Sequence, residues 1–244
     1  MNYYQAIKKT TEFKYNLKEE LYKVKSLKQT ARIFKEYQKF SAYKKRGIRP
    51  LFKDPIALFS SEWLASTFDM DVVILIRHPA AFAGSLKVKN WGFPFSHFLQ
   101  QPLLMKKKLA PFKSEIEYYA QKDQDTIDQA ILLWRIIHQT ILEYQQKHRD
   151  WSFIRHEDIS LNPLSGFQNL FDCLSLDLSE PIKKTIIEHS NYEAQNKEQS
   201  FFLKRDSKSN TTTWQDRLTT SEIERIYDGV KDVSKAFYSD REWE

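Results

Sequence analysis

DVVILIRHPAAFAGS, residues Asp71 to Ser85, decides the fold. Val72 to Ile76 are β-branched or leucine and carry no polar residue to mark a wet face, so they read as a parallel strand buried on both sides. Arg77-His78-Pro79 ends the run, and Pro79 suits the first turn of a helix that Ala80, Ala81 and Ala83 continue. Open α/β sheets bind ligands outside the carboxyl ends of their strands, which brings Arg77 and Ser85 near such a crevice. The pair suits a phosphate: the guanidinium offers a planar fork to two oxygens, and the hydroxyl, two turns into the helix, adds a third bond from another direction. The same two residues also read as a solvated arginine closing a strand and a small serine that lets the helix lie close on the sheet.

Outward from this stretch, the chain has 244 residues, 41% hydrophobic and 14% aromatic, enough for one α/β domain with elaborations and against general disorder. Lys and Arg outnumber Asp and Glu by 38 to 32, and the pI near 9.1 favours an anionic partner. That excess is too mild to indicate nucleic acid, whereas a nucleotide or sulfated ligand suffices. The lone cysteine, Cys173, makes a disulfide within the chain impossible and a zinc-thiolate site unexpected; its apolar context LFDCLSL predicts a small buried hydrophobe. No run approaches the roughly 18 apolar residues of a membrane span, and MNYYQAIKKTTEFKYNLKEEL lacks the apolar centre of a signal peptide. A soluble cytoplasmic protein is the expectation.

Residues 1–46 contain no proline and space Tyr4, Ile7, Phe13, Leu17, Leu21, Ile33 and Phe34 as amphipathic helices do. After Gly47, Ile48 to Phe52 reads as a short strand ending at Lys53-Asp54-Pro55, followed by a helix from Ile56 to Phe68. Past Trp91 the pattern is helical: Phe95 to Lys108, Ser114 to Gln121, then Thr126 to Gln146, whose periodicity makes Trp134 core rather than a ligand stacker. Trp151 to Ile154 predicts another strand ending at Arg155-His156-Glu157-Asp158. Helices follow from Leu164 to Leu174, Pro181 to His189 and Ser221 to Phe237, the last capped by Thr220 or Ser221. Ser190 to Thr213 reads as a long polar loop, functional or disordered.

Four segments in this order resemble the sulfotransferase superfamily, whose members move a sulfuryl group from 3'-phosphoadenosine-5'-phosphosulfate to an acceptor. RPLFKDP (49–55) resembles the family's second strand, which ends in a lysine beside the catalytic base. RHPAAFAGS (77–85) is similar to the 3'-phosphate motif and carries Arg77 and Ser85 onto its arginine and serine. FIRHEDISLNP (153–163) resembles the strand, Glu-Asp and helix start that follow the acceptor-side insertion. KRDSKSNTTTW (204–214), with the terminal FYSDREW, resembles the loop and helix that cover the nucleotide. The closest resemblance is to bacterial members of unsettled acceptor. It implies a three-layer αβα fold of the P-loop NTPase-like (sulfotransferase) kind, with a short parallel sheet and a large helical insertion. It also implies a single domain over 1–244: a helical part at 1–46, a nucleotide core at 47–90, an acceptor-side insertion at 91–150, and the remaining strand, helices and covering loop at 151–244.

One departure is large. The family opens with a strand and a loop resembling Pro-Lys-Ser-Gly-Thr-Thr-Trp that holds the 5'-phosphosulfate, and none of Gly47, Gly84, Gly92, Gly166 and Gly229 lies in such a turn; no Walker-type loop is present either. An amino-terminally incomplete member is the expectation, with weak binding and poor turnover.

For the catalytic residues, the resemblance implies Lys53 for the leaving phosphate or transferring sulfuryl; it also reads as a strand-end salt bridge. The cytosolic enzymes place their histidine base where this chain has Pro55, so Asp54 is the nearest ionisable substitute, ahead of Glu62 and His97. Asp54 reads equally well as a partner of Lys53 or a helix cap. The resemblance further implies that Arg205 and Lys208 close over the 3'-phosphate; as loop charges alone they read as solvated. His156 lies near the nucleotide in the family pattern, and Trp91, Phe93, Phe95 and Phe98 read as an acceptor pocket or as core. The expected acceptor is a small-molecule or carbohydrate hydroxyl, with no metal, nucleic acid or membrane span. Two other classes remain: a non-catalytic remnant binding adenosine 3',5'-bisphosphate or a protein, and a basic nucleic-acid binder, whose log affinity would fall against log salt with a slope of about 0.9 per phosphate contact.

Overall fold

The computed structural model describes residues 3–54, 57–122, 124–190 and 207–243. The chain divides into two compact units, Met1–Ala57 with Ser66–Phe68, and Leu58–Ala65 with Asp69–Glu244.

The first unit carries α1 (Tyr3–Thr11), α2 (Leu17–Tyr22) and α3 (Leu27–Lys45). Ser26 caps α3 by accepting the Gln29 amide proton at 3.3 Å, and Gly47 follows its end at φ +61, a conformation that suits a residue without Cβ. Its aromatic side chains meet largely edge to face: Phe13 with Phe40 and Tyr43, and Tyr15 with Tyr37 and Phe40. The strand expected over Ile48 to Phe52 is irregular backbone instead. Pro50 has no N–H to give a ladder, and Ile48, Leu51 and Phe52 are all exposed, so no face pays back the pairing.

Next come α4 (Ser61–Phe68), β1 (Val73–Ile76), α5 (Pro79–Lys89), α6 (Ser96–Leu99), α7 (Pro102–Lys107), α8 (Lys113–Gln121) and α9 (Thr126–Lys147). They are followed by β2 (Ser152–Arg155), α10 (His156–Leu161), α11 (Pro163–Cys173), α12 (Glu180–Ser190) and α13 (Thr220–Ser234). β1 and β2 pair in parallel, Val73 opposite Ser152 through Ile76 opposite Arg155, and form the sheet of the described residues. Burial on both faces is not what the strand shows. Ile74 and Ile76 are core, whereas Val73 is 36% and Leu75 61% exposed, so among the described residues one face is covered. A uniformly apolar run has no period with which to announce this.

Two apolar clusters organise the second unit. One joins Ile74 and Ile76 to the alanines of α5, to Trp134, Ile141 and Tyr144 of α9 and to Ile226 and Val230 of α13. The other gathers Phe95, Phe98, Leu109, Phe112, Ile116, Leu132 and Ile136. α13 crosses α9 closely: a Cβ on Gly229 would lie 2.6 Å from Ile131 Cγ2. The N-cap of α13 is Thr219, one residue before the expected position, in a reciprocal capping box with Glu222.

Three further expectations change. Phe95 to Lys108 is not one helix, because Pro102 lacks the N–H to continue α6 and starts α7 instead. Arg155-His156-Glu157-Asp158 is not a strand end only, since His156 opens α10. Cys173 is exposed. On α11 the half-buried residues Phe167, Leu170 and Phe171, continued by Leu174 just past its end, recur at helical spacing, and Cys173 falls off that stripe. No helix among the described residues is long and apolar enough to cross a membrane.

Candidate functional site

Because Ile76 stands opposite Arg155 in the parallel pair, the next residues, Arg77 and His156, leave the carboxyl ends of β1 and β2 side by side. Each strand therefore ends in a basic or imidazole pair, Arg77-His78 and Arg155-His156, and the fold treats the members differently.

His78 and Arg155 are taken inward. His78 is 2% exposed, its ring stacked on Trp214 at 5.2 Å and meeting Tyr238 at 4.8 Å and Trp243 at 4.5 Å. Burial drives its pKa down to about 4, opposed by the charge of Glu242 and reinforced by that of Arg155, so the imidazole is neutral. Arg155 donates to the Phe237 carbonyl at 2.8 Å, pairs with Glu242 and Asp158, and lies 4.6 Å over the Tyr238 ring. The segment from Phe237 to Trp243 thus straps down both strand ends.

Arg77 and His156 are half-buried. The peptide that follows Arg77 is held at both ends, since the Arg77 carbonyl accepts Trp134 Nε1–H at 3.0 Å and the His78 amide donates to Glu157 Oε1 at 3.0 Å. Burial lowers the His156 pKa; Glu157 opposes this and the positive charge of Arg77 adds to it. An anion bound between them would relieve that repulsion. Ser85 lies on α5, on the segment that begins at Arg77, and its hydroxyl donates to the Ala81 carbonyl at 2.9 Å. To donate to a ligand it must exchange that bond.

The other expected residues are distributed as follows. Lys53 and Asp54 are exposed in the irregular backbone of the first unit, where the Asp54 carbonyl accepts the Ala57 amide proton at 3.4 Å. Arg205 lies outside the described residues. Lys208 is exposed beside the 3-10 turn Ser209–Thr211, and Ser207 Oγ donates to the Ser160 carbonyl at 2.8 Å, which lays this segment on α10. Arg77, Ser85 and Lys208 therefore belong to the second unit and Lys53 and Asp54 to the first. Glu62 makes a poor base: burial would raise its pKa, but bonds from Lys147 and His148 and the charge of Lys108 bring it to about 2. His97 is exposed on α6. Phe95 and Phe98 are core, with Phe93 packed on them, while Trp91 is 59% exposed with Lys89 Nζ 4.5 Å from its ring. The pocket reading of these rings therefore gives way to packing for Phe95 and Phe98. No metal-holding group of His, Cys, Asp and Glu occurs among the described residues.

Sequence reasoning missed the roles of His78, Glu157, Tyr238 and Trp214, which pack and bond around the residue that follows Arg77. The clue available was an aromatic residue in a polar stretch, Trp214, and a carboxylate one residue after His156.

No protein-family model matches the chain, and no curated protein does. Among solved structures, the chain is similar to the sulfotransferase domain from the curacin biosynthetic pathway, with a TM-score of 0.44 and 15% identity over 91% of this chain and 78% of that one. At that TM-score and identity the likeness says nothing of chemistry, which this chain's own residues must carry.

Proposed function

We propose that this chain is a sulfotransferase that takes 3'-phosphoadenosine-5'-phosphosulfate and passes its sulfuryl group to the hydroxyl of a carbohydrate, glycolipid or small alcohol. The observation that supports this most is the pairing of Arg77 and His156 at the carboxyl ends of two parallel strands, with α5 and Ser85 leading away from one of them. A guanidinium on a backbone held at both ends of one peptide offers a planar fork, and the neighbouring imidazole adds a donor that a phosphate dianion would favour in its charged form.

In this reading Arg77 and Ser85 hold the 3'-phosphate, and Arg205 and Lys208 close over it. Lys53 stabilises the leaving phosphate, and Asp54 accepts the acceptor proton. The acceptor oxygen attacks sulfur in line while the bond from sulfur to the phosphate oxygen breaks. Positioning and charge stabilisation do most of the work, as in phosphoryl transfer. Donors for the 5'-phosphosulfate are the weak point. None of the five glycines lies in a Gly-rich phosphate turn, and a missing donor in a comparable oxyanion site costs about 3 to 4 kcal/mol of transition-state stabilisation. That favours a second reading, binding of adenosine 3',5'-bisphosphate without turnover.

Calorimetric titration of adenosine 3',5'-bisphosphate into the full chain and into Arg77→Ala tests both. Micromolar binding abolished in the variant is expected. A folded chain that binds no nucleotide would sink both readings, and binding without transfer to any hydroxyl acceptor would leave the second.

A further inference from the structure

A carboxylate removed from water must recover its lost hydration through hydrogen bonds, and each such bond fixes the donor as well as the acceptor. Glu157 is 7% exposed and has one donor for each oxygen: the His78 amide to Oε1 at 3.0 Å and the Tyr238 hydroxyl to Oε2 at 2.9 Å. The first donor belongs to the N-cap residue of α5, where helix amides lack partners within the helix and the dipole favours a negative group. The second donor is itself immobilised. Tyr238 lies under the Arg155 guanidinium, beside a carbonyl, that of Phe237, which Arg155 also binds.

We infer that Glu157, braced by Tyr238, is the positioning residue of the Arg77 turn. The peptide joining Arg77 to His78 is gripped at both ends, its carbonyl by Trp134 and its amide by Glu157. Trp134 ties the turn to α9, and Glu157 ties it to α10 and, through Tyr238, to the carboxyl-terminal strap. Releasing the amide frees the peptide that follows Arg77 and the entry to α5, so the backbone from which the Arg77 side chain leaves is no longer held in one position beside His156. This rests on the reading that Arg77 grips a phosphate.

The full chain is compared with Glu157→Ala, Glu157→Gln and Tyr238→Phe, each titrated with adenosine 3',5'-bisphosphate well below its melting temperature. Glu157→Ala is expected to weaken binding about 10- to 100-fold, the range for losing a residue that orients a binding group. Glu157→Gln keeps an oxygen for the His78 amide and is expected to restore most of the affinity. A residue with only a structural role would lower the melting temperature of Glu157→Ala and leave the affinity of the folded protein unchanged, and that result overturns the inference. If Glu157→Ala does not fold, Tyr238→Phe decides: weakened binding upholds the inference, unchanged binding overturns it. If the unaltered chain binds no nucleotide, the functional reading fails separately. Amide hydrogen exchange at His78 in Tyr238→Phe then decides, faster exchange upholding the positioning role and unchanged exchange overturning it.

Discussion

The two compact units use aromatic residues in opposite ways. In the first, Phe13, Tyr15, Tyr37, Phe40 and Tyr43 touch one another yet stay half-buried or exposed, and Ile33 is the buried residue of α1 to α3. In the second, Trp134 is 1% exposed and stacks on His138 at 3.7 Å, while Tyr144, Trp151, Trp214 and Tyr238 line the same core. Aromatic content alone therefore does not tell a deep core from a shallow one; what differs is how many elements converge on each ring. The candidate residues inherit the difference. Arg77 comes from a turn pinned by buried bonds, and Lys53 and Asp54 from exposed irregular backbone.

Trp134→Ala strikes the contrast hardest. It removes a fully buried indole and the bond that fixes the Arg77 carbonyl, and is expected to cost about 4 kcal/mol in denaturant unfolding; a loss below about 1 kcal/mol would mean the second core is no firmer than the first.

Acid comes next. His78 and His138 are neutral in the folded chain, with pKa values driven by burial to about 4 and about 3. The unfolded chain takes up protons from about pH 6.5 downward, so stability is full above that value and falls as pH drops toward 4 and 3. For His78 the loss is roughly 3 kcal/mol. Glu62, lowered to about 2, adds to the loss between pH 4.5 and 2. Urea unfolding at a series of pH values, followed by tryptophan fluorescence, checks this, and a flat profile from pH 7 to 4 would contradict the burial of both imidazoles.

The smallest expected effect lies in the first unit. Ile33→Ala should cost about 2 kcal/mol, the low end for a buried isoleucine, because the residues around it on α1 to α3 are half-buried or exposed and can close on the gap. The six tryptophans all lie in the second unit, at 63, 91, 134, 151, 214 and 243. Urea unfolding followed through the tyrosines, which lie in both units, checks the change, and a loss below about 1 kcal/mol would mean that Ile33 adds less than its burial implies.

Much of the second unit was legible because its signals were local. The run ending at Arg77-His78-Pro79 gave β1 and the start of α5, and the spacing in Thr126 to Gln146 gave α9 and the burial of Trp134. Failures came where a tertiary partner decides. Ile48 to Phe52 has strand residues but no face to bury. Cys173 sits in an apolar context yet off the half-buried stripe of α11. α10 is too short for a period to show. The candidate site divides likewise: Arg77 and Ser85 follow from a strand-to-helix spacing, whereas the contribution of Glu157 depends on Tyr238, 81 residues away, a pairing no spacing announces.

Gly229 has a consequence for tolerance to change. With a methyl there only 2.6 Å from Ile131 Cγ2, even alanine obliges either the Ile131 side chain or α13 to move, one turn of α9 before Trp134. A saturation library at this position, selected for folded protein, should favour glycine and the smallest side chains over large ones, although the residue lies far along the chain from Arg77 and touches no ligand in any reading. A position with no side chain thereby bears on the spacing between α13 and α9, the helix that carries Trp134.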